Sequence, residues 1–378
     1  MSRFYRTAET LKLGSQTLPG RFFTSQAVFE AEIDRIYYSG WVYAGRTSQI
    51  DNAGDYFLFQ CGGESVILLR DQSSEPRGFY NVCRHRGSRL CEAESGRFPH
   101  SIQCAYHAWT YGLDGQLIGA PLMDEVFEFR KEAHSLIPIA VADWEGFLFV
   151  NLAVQPEPFE DVFAPLAGKF NDWNLSQLEN AGLIEYQVNA NWKLIVQNYS
   201  ECYHCPSIHP DLAKKSPYRS GKNDLFDGKF LGGYMDLAEG NGSLTLSGRA
   251  CAPPLGSVNG EDLKRVYYYT IFPNMLLSLH PDYVMVHRLA PENTGHTRVT
   301  CEWLFAPDTF RRSDLSPSDA IDFWDRVNRQ DWHVCELSQQ GVASRAYKPA
   351  PYSGQESLLA AFDRQVLKAL GNLEVKED

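Results

Sequence analysis

The chain has 378 residues, 44% apolar and 22% charged, enough for about two domains of ~150 residues, each with its own core. Its 35 Lys and Arg against 47 Asp and Glu give a net charge of -12, which excludes sequence-independent nucleic-acid binding because phosphate attraction needs a basic surface. No apolar run approaches the ~20 residues of a membrane span, and the first residues lack the apolar core of an export signal. A cytoplasmic protein is therefore expected, with neither nucleic acid nor membrane as partner. Nine cysteines in such a chain favour reduced thiols and metal ligation over a disulfide framework.

In chain order, Phe23 to Trp41 reads as helical, with Thr24 or Ser25 as N-cap. Residues 41 to 152 then become short strand-like runs separated by Gly-rich turns, among them Asp55 to Gln60, Ser65 to Arg70, Gly78 to Val82 and Gly146 to Leu152. A proline-rich bridge over 153 to 165 removes backbone donors and marks a domain boundary. Beyond it, strands are expected at Arg265 to Phe272, Met275 to Leu279, Tyr283 to Leu289 and Arg298 to Phe305. A helix follows from Pro317, with Ser316 as N-cap and Asp319 closing a capping box, and stops before Gly341. The expected division is a helical segment over 1–40, an antiparallel β domain over 41–155 and an α+β domain with an antiparallel sheet over 156–378.

Two constellations carry chemistry. The first is Cys83-Arg-His85-Arg-Gly87 and Cys104-Ala-Tyr-His107, one thiol and one imidazole on each of two short loops. Two Cys and two His suit a [2Fe-2S] centre of the Rieske type, with the thiolates on one iron and the imidazoles on the other. Tetrahedral zinc needs the same four residues, though the Cys83/His85 spacing is tighter than a zinc knuckle, and chance core residues are the third reading.

The second constellation is Glu201-Cys-Tyr-His204-Cys-Pro-Ser-Ile-His209. On an ideal helix Glu201 and His204 lie about 60° apart, but His204 and His209 lie about 140° apart. Pro206 should break the helix, expel Cys205 and let His209 swing back toward His204. Two His and one carboxylate form the facial triad of non-haem Fe(II) oxygenases. Asp331 is the preferred third ligand, since it interrupts the apolar stripe Ala320, Trp324, Val327, Val334, where an acid needs a partner. Asp325, on a mixed face beside Ile321 and Trp332, is the alternative.

Together these residues resemble the Rieske non-haem iron oxygenases, specifically the terminal oxygenase α subunit, over nearly the whole chain. The resemblance rests on C-x-H-R-G, C-x2-H, E-x2-H-x4-H, and Asp331 followed by Glu336 and Gln340. It implies Cys83, His85, Cys104 and His107 on the cluster, His204, His209 and Asp331 on the iron, and Glu201 as a bridging carboxylate. It further implies a START-like helix-grip catalytic domain on which the first 40 residues pack. A flavin/iron-sulfur reductase or a ferredoxin would deliver electrons from NAD(P)H for use with O2. The relay would run from His107 of one chain through Glu201 to His204 of the next, making an α3 homotrimer functionally necessary. Departures are the 18 residues between His85 and Cys104, Ala105 in place of a common proline, and Glu rather than Asp at 201.

The E-C-Y-H-C-x3-H-P pattern resembles the branch containing glycine betaine, choline and carnitine oxygenases. This favours hydroxylation or oxidative N-demethylation of a small quaternary amine, with an aromatic acid ring hydroxylase as runner-up. Tyr267, Tyr268 and Tyr269, with Tyr283 and Trp303, offer an aromatic cage for a trimethylammonium group, although tyrosine also simply favours strands. Arg84, Arg86, Arg89 and Arg97 form a basic cluster suited to an acidic reductase. A zinc-stabilised binding protein is the reading from another class, and a bare Rieske electron carrier would leave the last 220 residues without a role.

Overall fold

The computed structural model describes residues 3–371. They form two compact units: Tyr37–Val162, and a second built from the chain before it, up to Ile36, and the chain after it, from Phe163. The borders fall a few residues outside 41 and 155. The proline-rich stretch after 153 belongs to the first unit, where it is anchored by the Trp41 indole donating to the Glu157 carbonyl at 2.9 Å.

The Tyr37–Val162 unit is antiparallel throughout. Seven strands run in the order Val42–Arg46, Phe147–Asn151, Pro138–Trp144, Pro76–Tyr80, Glu64–Arg70, Asp55–Cys61, Ser95–Arg97, beside a three-stranded sheet of Ser101–Gln103, Thr110–Gly112 and Leu117–Gly119. Central strands such as Phe147–Asn151 are buried at every residue, which is why they read as continuous apolar runs rather than alternating ones. The expected Gly78 to Val82 strand lies two residues earlier, at Pro76–Tyr80, because Val82 already turns into the loop that carries Cys83. Tyr56, Ile67, Leu69, Phe79, Trp109 and Tyr111 pack with Cys83 and Cys104 in one core cluster.

The second unit is built on eight antiparallel strands ordered Tyr5–Arg6, Lys222–Asp227, Phe230–Asp236, Arg265–Ile271, Met275–Leu279, Val284–Asn293, His296–Phe305, Glu179–Val188. Helices Trp192–Tyr199, Ser318–Val342 and Ser357–Leu370 pack on it. The pair Lys222–Asp227 and Phe230–Asp236 has no counterpart among the expected strands; Gly232 and Gly233 interrupt the second with residues that carry no strand-favouring side chain. Here the glycines serve close approach: a Cβ on Gly233 would sit 1.8 Å from the Lys222 carbonyl oxygen and one on Gly232 2.1 Å from that of Tyr268.

The N-terminal helix is shorter than expected, Gln26–Glu32, and continues as a wider turn over Ile33–Tyr37. It is tied to the rest of its unit by a fully buried ion pair, Glu32 Oε1 to Lys193 Nζ at 2.6 Å, with the Trp192 indole donating to the other Glu32 oxygen at 2.8 Å. The long helix starts at Ser318 without a capping box. Asp319 instead accepts from the Ser247 hydroxyl and backbone N–H, and Gly341 lies inside the last turn, which ends at Val342. Among the described residues no helix is long and apolar enough to cross a membrane.

Candidate metal centres and the cavity beside them

The two Cys/His loops are built alike. In the first, the Gly87 N–H donates to the Cys83 carbonyl and the Cys83 N–H to Ser88; in the second, Ala108 donates to Cys104 and Cys104 to Trp109, all at 2.8 to 3.0 Å. Both loops need a left-handed residue at the same place, φ 73° at Gly87 and 56° at Ala108, so glycine in one loop is matched by a strained alanine in the other. Cys83 and Cys104 are buried side by side, and the His85 and His107 rings lie 4.7 Å apart between centroids.

Burial pushes the Cys104 thiol up, but hydrogen bonds from the backbone of Tyr106, the Cys83 thiol, the backbone of His107 and the Ser88 side chain together hold it below its ordinary value. His85 stacks on Trp109 at 4.7 Å, and its Nδ1 is buried with no protein partner. Two convergent thiols and two adjacent imidazoles, one with an orphaned buried nitrogen, fit a Rieske cluster.

The second set converges as closely. Nε2 of His209 lies 2.7 Å, and Nε2 of His204 3.2 Å, from Oδ1 of Asp331, and the three groups offer ligand atoms all within 4.8 Å of one another. The route to this geometry differs from the expected one. The helix Trp192–Tyr199, capped by the Asn191 side chain on the Lys193 N–H, already ends at Ser200, so Glu201 and His204 are not on one helix. Pro206 sits in the first turn of a new helix, Cys205–Ile208, where its missing N–H is harmless, and Cys205 begins that helix instead of being expelled. His209, at φ -125° and ψ 63°, links it to the helix Pro210–Lys215.

The outer ring nitrogens fix both tautomers. His204 Nδ1 donates to Glu201 Oε1 at 2.6 Å and His209 Nδ1 to Gln330 Oε1 at 2.8 Å, which leaves both Nε2 lone pairs free for a metal. Gln330 has no signal in the sequence beyond its place next to Asp331. Burial disfavours charge on His204, but the carboxylates of Asp331 and Glu201 outweigh it and raise His204 to about 10. Asp331 is lowered although burial opposes this, through hydrogen bonds from His204 and His209. Two carboxylates around two imidazoles thus make a buried negative site that a cation neutralises. Asp325 is elsewhere, ion-paired to Arg329 at 2.9 Å and accepting from the Tyr186 hydroxyl at 2.8 Å.

Cys202 and Cys205 flank His204 and are joined in a disulfide, with Cα atoms 4.9 Å apart; the other seven cysteines are free. The expectation of reduced thiols fails at this pair because the C-x-x-C spacing holds the two Cα atoms within bridging distance.

Glu201, His204, His209 and Asp331 line one end of a cavity of about 110 Å³. Its other walls include Tyr199, Tyr234, Tyr268, Trp324 and Trp332, and among the described residues none of its lining side chains is Lys or Arg. The aromatic set is not the one read from sequence. Along the strand Arg265–Ile271, Tyr268 and Thr270 face the cavity; Tyr267 packs on Trp173, and Tyr269 bonds to Asp224 and packs on Phe170. Tyr283 and Trp303 are buried and line no part of it. The period-two alternation of a strand turns Tyr267 and Tyr269 away from it, while Tyr283 precedes the strand Val284–Asn293 and, among the described residues, the strand of Trp303 contributes nothing to the lining.

A small β unit carrying paired Cys/His loops, and an antiparallel sheet gripped by helices that bring two His and an Asp together, define the Rieske non-haem iron oxygenases, and this chain belongs to that family. Residues 40–130 match the Rieske [2Fe-2S] domain, and residues 175–372 the catalytic domain of the ring hydroxylating alpha subunit. The chain is therefore an oxidoreductase, the oxygenase component of its system, with a [2Fe-2S] cluster and a mononuclear iron as cofactors. It is 32% identical to the glycine betaine monooxygenase oxygenase subunit of Chromohalobacter salexigens, over 92% of this chain and 84% of that one. To the carnitine monooxygenase oxygenase subunit of Escherichia coli it is 37% identical over about half of each chain, 52% and 53%. A solved quaternary ammonium Rieske monooxygenase, whose structure is described as giving insight into carnitine oxidation and inter-subunit electron transfer, superposes with a TM-score of 0.82 at 28% identity, covering 94% of this chain and 96% of that one.

Proposed function

We propose that this chain oxidises a small quaternary ammonium compound, by hydroxylation or by oxidative N-demethylation. The observation that carries the reading is the cavity: it abuts the His204, His209 and Asp331 cluster, its walls are rich in aromatic rings, and it lacks Lys and Arg. A permanent cation is held by ring faces without any counter-cation. An aromatic carboxylic acid, the runner-up substrate, would bring a net negative charge, with no ammonium of its own to offset it, beside Glu201 and Asp331 and with no Lys or Arg among the described lining residues. The names of the relatives point the same way.

In this reading His204, His209 and Asp331 hold iron and leave positions open, while Cys83, His85, Cys104 and His107 hold the cluster. When bound, the two groups supply O2 activation and single electrons. Glu201 and Gln330 keep the two imidazoles oriented by holding their Nδ1 protons. The aromatic walls exclude water and place a methyl group of the cation at the metal end. N-demethylation balances as substrate, O2, two electrons and two protons giving the protonated dimethylamine product, formaldehyde and water.

The electrons come from NAD(P)H through a flavin/iron-sulfur reductase or ferredoxin that docks at the exposed Arg84, Arg86, Arg89 and Arg97. The assembly is a homotrimer in the cytoplasm, with Glu201 of one protomer reached from His107 of the next. The test is turnover by purified oxygenase with a competent reductase. Formaldehyde release, or a hydroxylated product, is expected with quaternary amines and not with aromatic acids; the reverse pattern rejects the reading.

A further inference from the structure

The disulfide between Cys202 and Cys205 encloses His204, and both cysteines line the cavity. Oxidation of a quaternary amine gives them no task. Sγ of Cys205 lies 4.0 Å from Nε2 of His204, the nitrogen left free for a metal because Glu201 holds Nδ1. In a tetrahedral site with metal–sulfur and metal–nitrogen bonds of about 2.3 and 2.0 Å, the two ligand atoms stand about 3.6 Å apart. The Cys205 sulfur is thus close to the separation that sharing one metal with His204 requires. While bonded to Cys202 it has no thiolate charge to offer.

The backbone here is held without any help from sulfur. The Cys205 N–H donates to the Cys202 carbonyl at 3.2 Å, and the His209 N–H to the Cys205 carbonyl at 2.8 Å. Cys205 therefore stays between the two imidazole ligands whether or not the S–S bond is closed. Cys202 is half-buried, whereas Cys205 is 2% exposed, so an attacking thiol meets the Cys202 sulfur first.

We propose that Cys202 and Cys205 form a thiol-disulfide switch of metal choice: the disulfide withholds Cys205, and reduction releases it as a fourth ligand beside His204, His209 and Asp331. This rests on the reading of those three residues as the metal ligands. One thiolate of a dithiol reductant attacks Sγ of Cys202, and the S–S bond breaks with its electron pair left on the Cys205 sulfur. The second thiolate of the reductant then displaces Cys202. Two electrons and two protons pass to the protein, and the reductant leaves as a disulfide. Cys205 gives up its proton when its sulfur takes the metal. Two His and one carboxylate with open positions suit iron, whereas four ligands that include a thiolate make the closed tetrahedral set that zinc prefers. Zinc carries no redox chemistry, so the reduced, zinc-filled chain does not turn over.

The test uses the cluster-loaded oxygenase stripped of mononuclear metal, either kept in air or treated with a dithiol that is then removed without air, and zinc as the probe. Alkylation followed by mass spectrometry reports the state of the pair, and an unchanged visible spectrum shows that the cluster keeps its own cysteines. Reduction should raise the affinity for zinc about tenfold or more and add a sulfur neighbour at about 2.3 Å to the zinc X-ray absorption spectrum. Cys202→Ser should show that neighbour without reductant, and Cys205→Ser should show it under neither condition. A pair that does not change state in the folded protein, a zinc site without sulfur after reduction, or two serine variants that behave alike overturns the switch and leaves His204, His209 and Asp331 as ligands. Zinc binding in neither state removes the three-ligand reading as well.

Discussion

Asp363 is a carboxyl group 3% exposed, accepting from Gln197 Nε2 and from the Tyr352 hydroxyl, each at 2.7 Å. Burial raises it from 3.8 to about 6, against those two bonds and the more distant charges of Lys193 and Arg364. Between these two values the folded state binds the proton more tightly than the unfolded chain. The resulting stabilisation is fully present below about pH 4 and is lost as pH rises through about 6, a swing of about 3 kcal/mol. Relative to Asp363→Asn, the natural protein should therefore lose that amount between pH 4 and pH 7 in denaturant titrations. A stability difference that stays flat across this range refutes the account. At the metal site the two acids of the long helix weighed as third ligand, Asp331 and Asp325, separate cleanly. Asp331→Ala should lose most of its mononuclear iron by metal analysis, whereas Asp325→Ala, which touches only Tyr186 and Arg329, should retain it. Equal iron contents would reject Asp331 as the ligand.

At the scale of elements, the ion pair between helix Gln26–Glu32 and helix Trp192–Tyr199 is the sharpest case. Burial raises Glu32 and lowers Lys193, and each resists the other's shift by attraction. Removing one partner strands a buried charge. Lys193→Met should cost about 3 to 5 kcal/mol, and adding Glu32→Gln should recover much of it; strictly additive losses in the double variant would show that the two do not act as a pair. What could be read from sequence divides along the same lines. The Cys/His loops were legible because few chemistries use those residue types at that spacing, and Asp331 because an acid in an apolar stripe has to be explained. The Glu201 to His209 segment offered residues that the structure brings together, but by another path than the one expected, since a helix ending at Tyr199 and restarting at Cys205 leaves no periodic trace. Gln330, the cavity aromatics and the Gly232-Gly233 strand were hidden, because each depends on a neighbour distant in sequence.

At the scale of the molecule, the unit from Tyr37 to Val162 interrupts the other in sequence, and the two pieces of that other unit are joined by contacts of their own. The strand Tyr5–Arg6 pairs with Lys222–Asp227, Thr10 bonds Ser357 and Asn223, Arg35 reaches the Leu370 carbonyl, and Glu32 holds Lys193. Val154, 99% exposed in the proline-rich stretch, is a natural site for a protease. A single cut there should leave the fragments before and after it eluting together on gel filtration and separating only in denaturant. Separation under native conditions would mean that the first 36 residues are not docked as described.

The same insertion sets an order of events during synthesis. The N-terminal segment leaves the ribosome first, yet the residues it pairs with, 191 to 370, come last. At ~5 to 20 residues per second it waits on the order of 10 to 60 s, with Phe22, Phe23, Val28 and Phe29, all buried in the finished protein, uncovered meanwhile. The inserted unit, whose sheet closes by residue 151, has every strand it needs well before then. Nascent chains of this protein should thus contain a finished β unit led by a sticky, unfolded tail, a natural client for chaperones that bind short apolar segments.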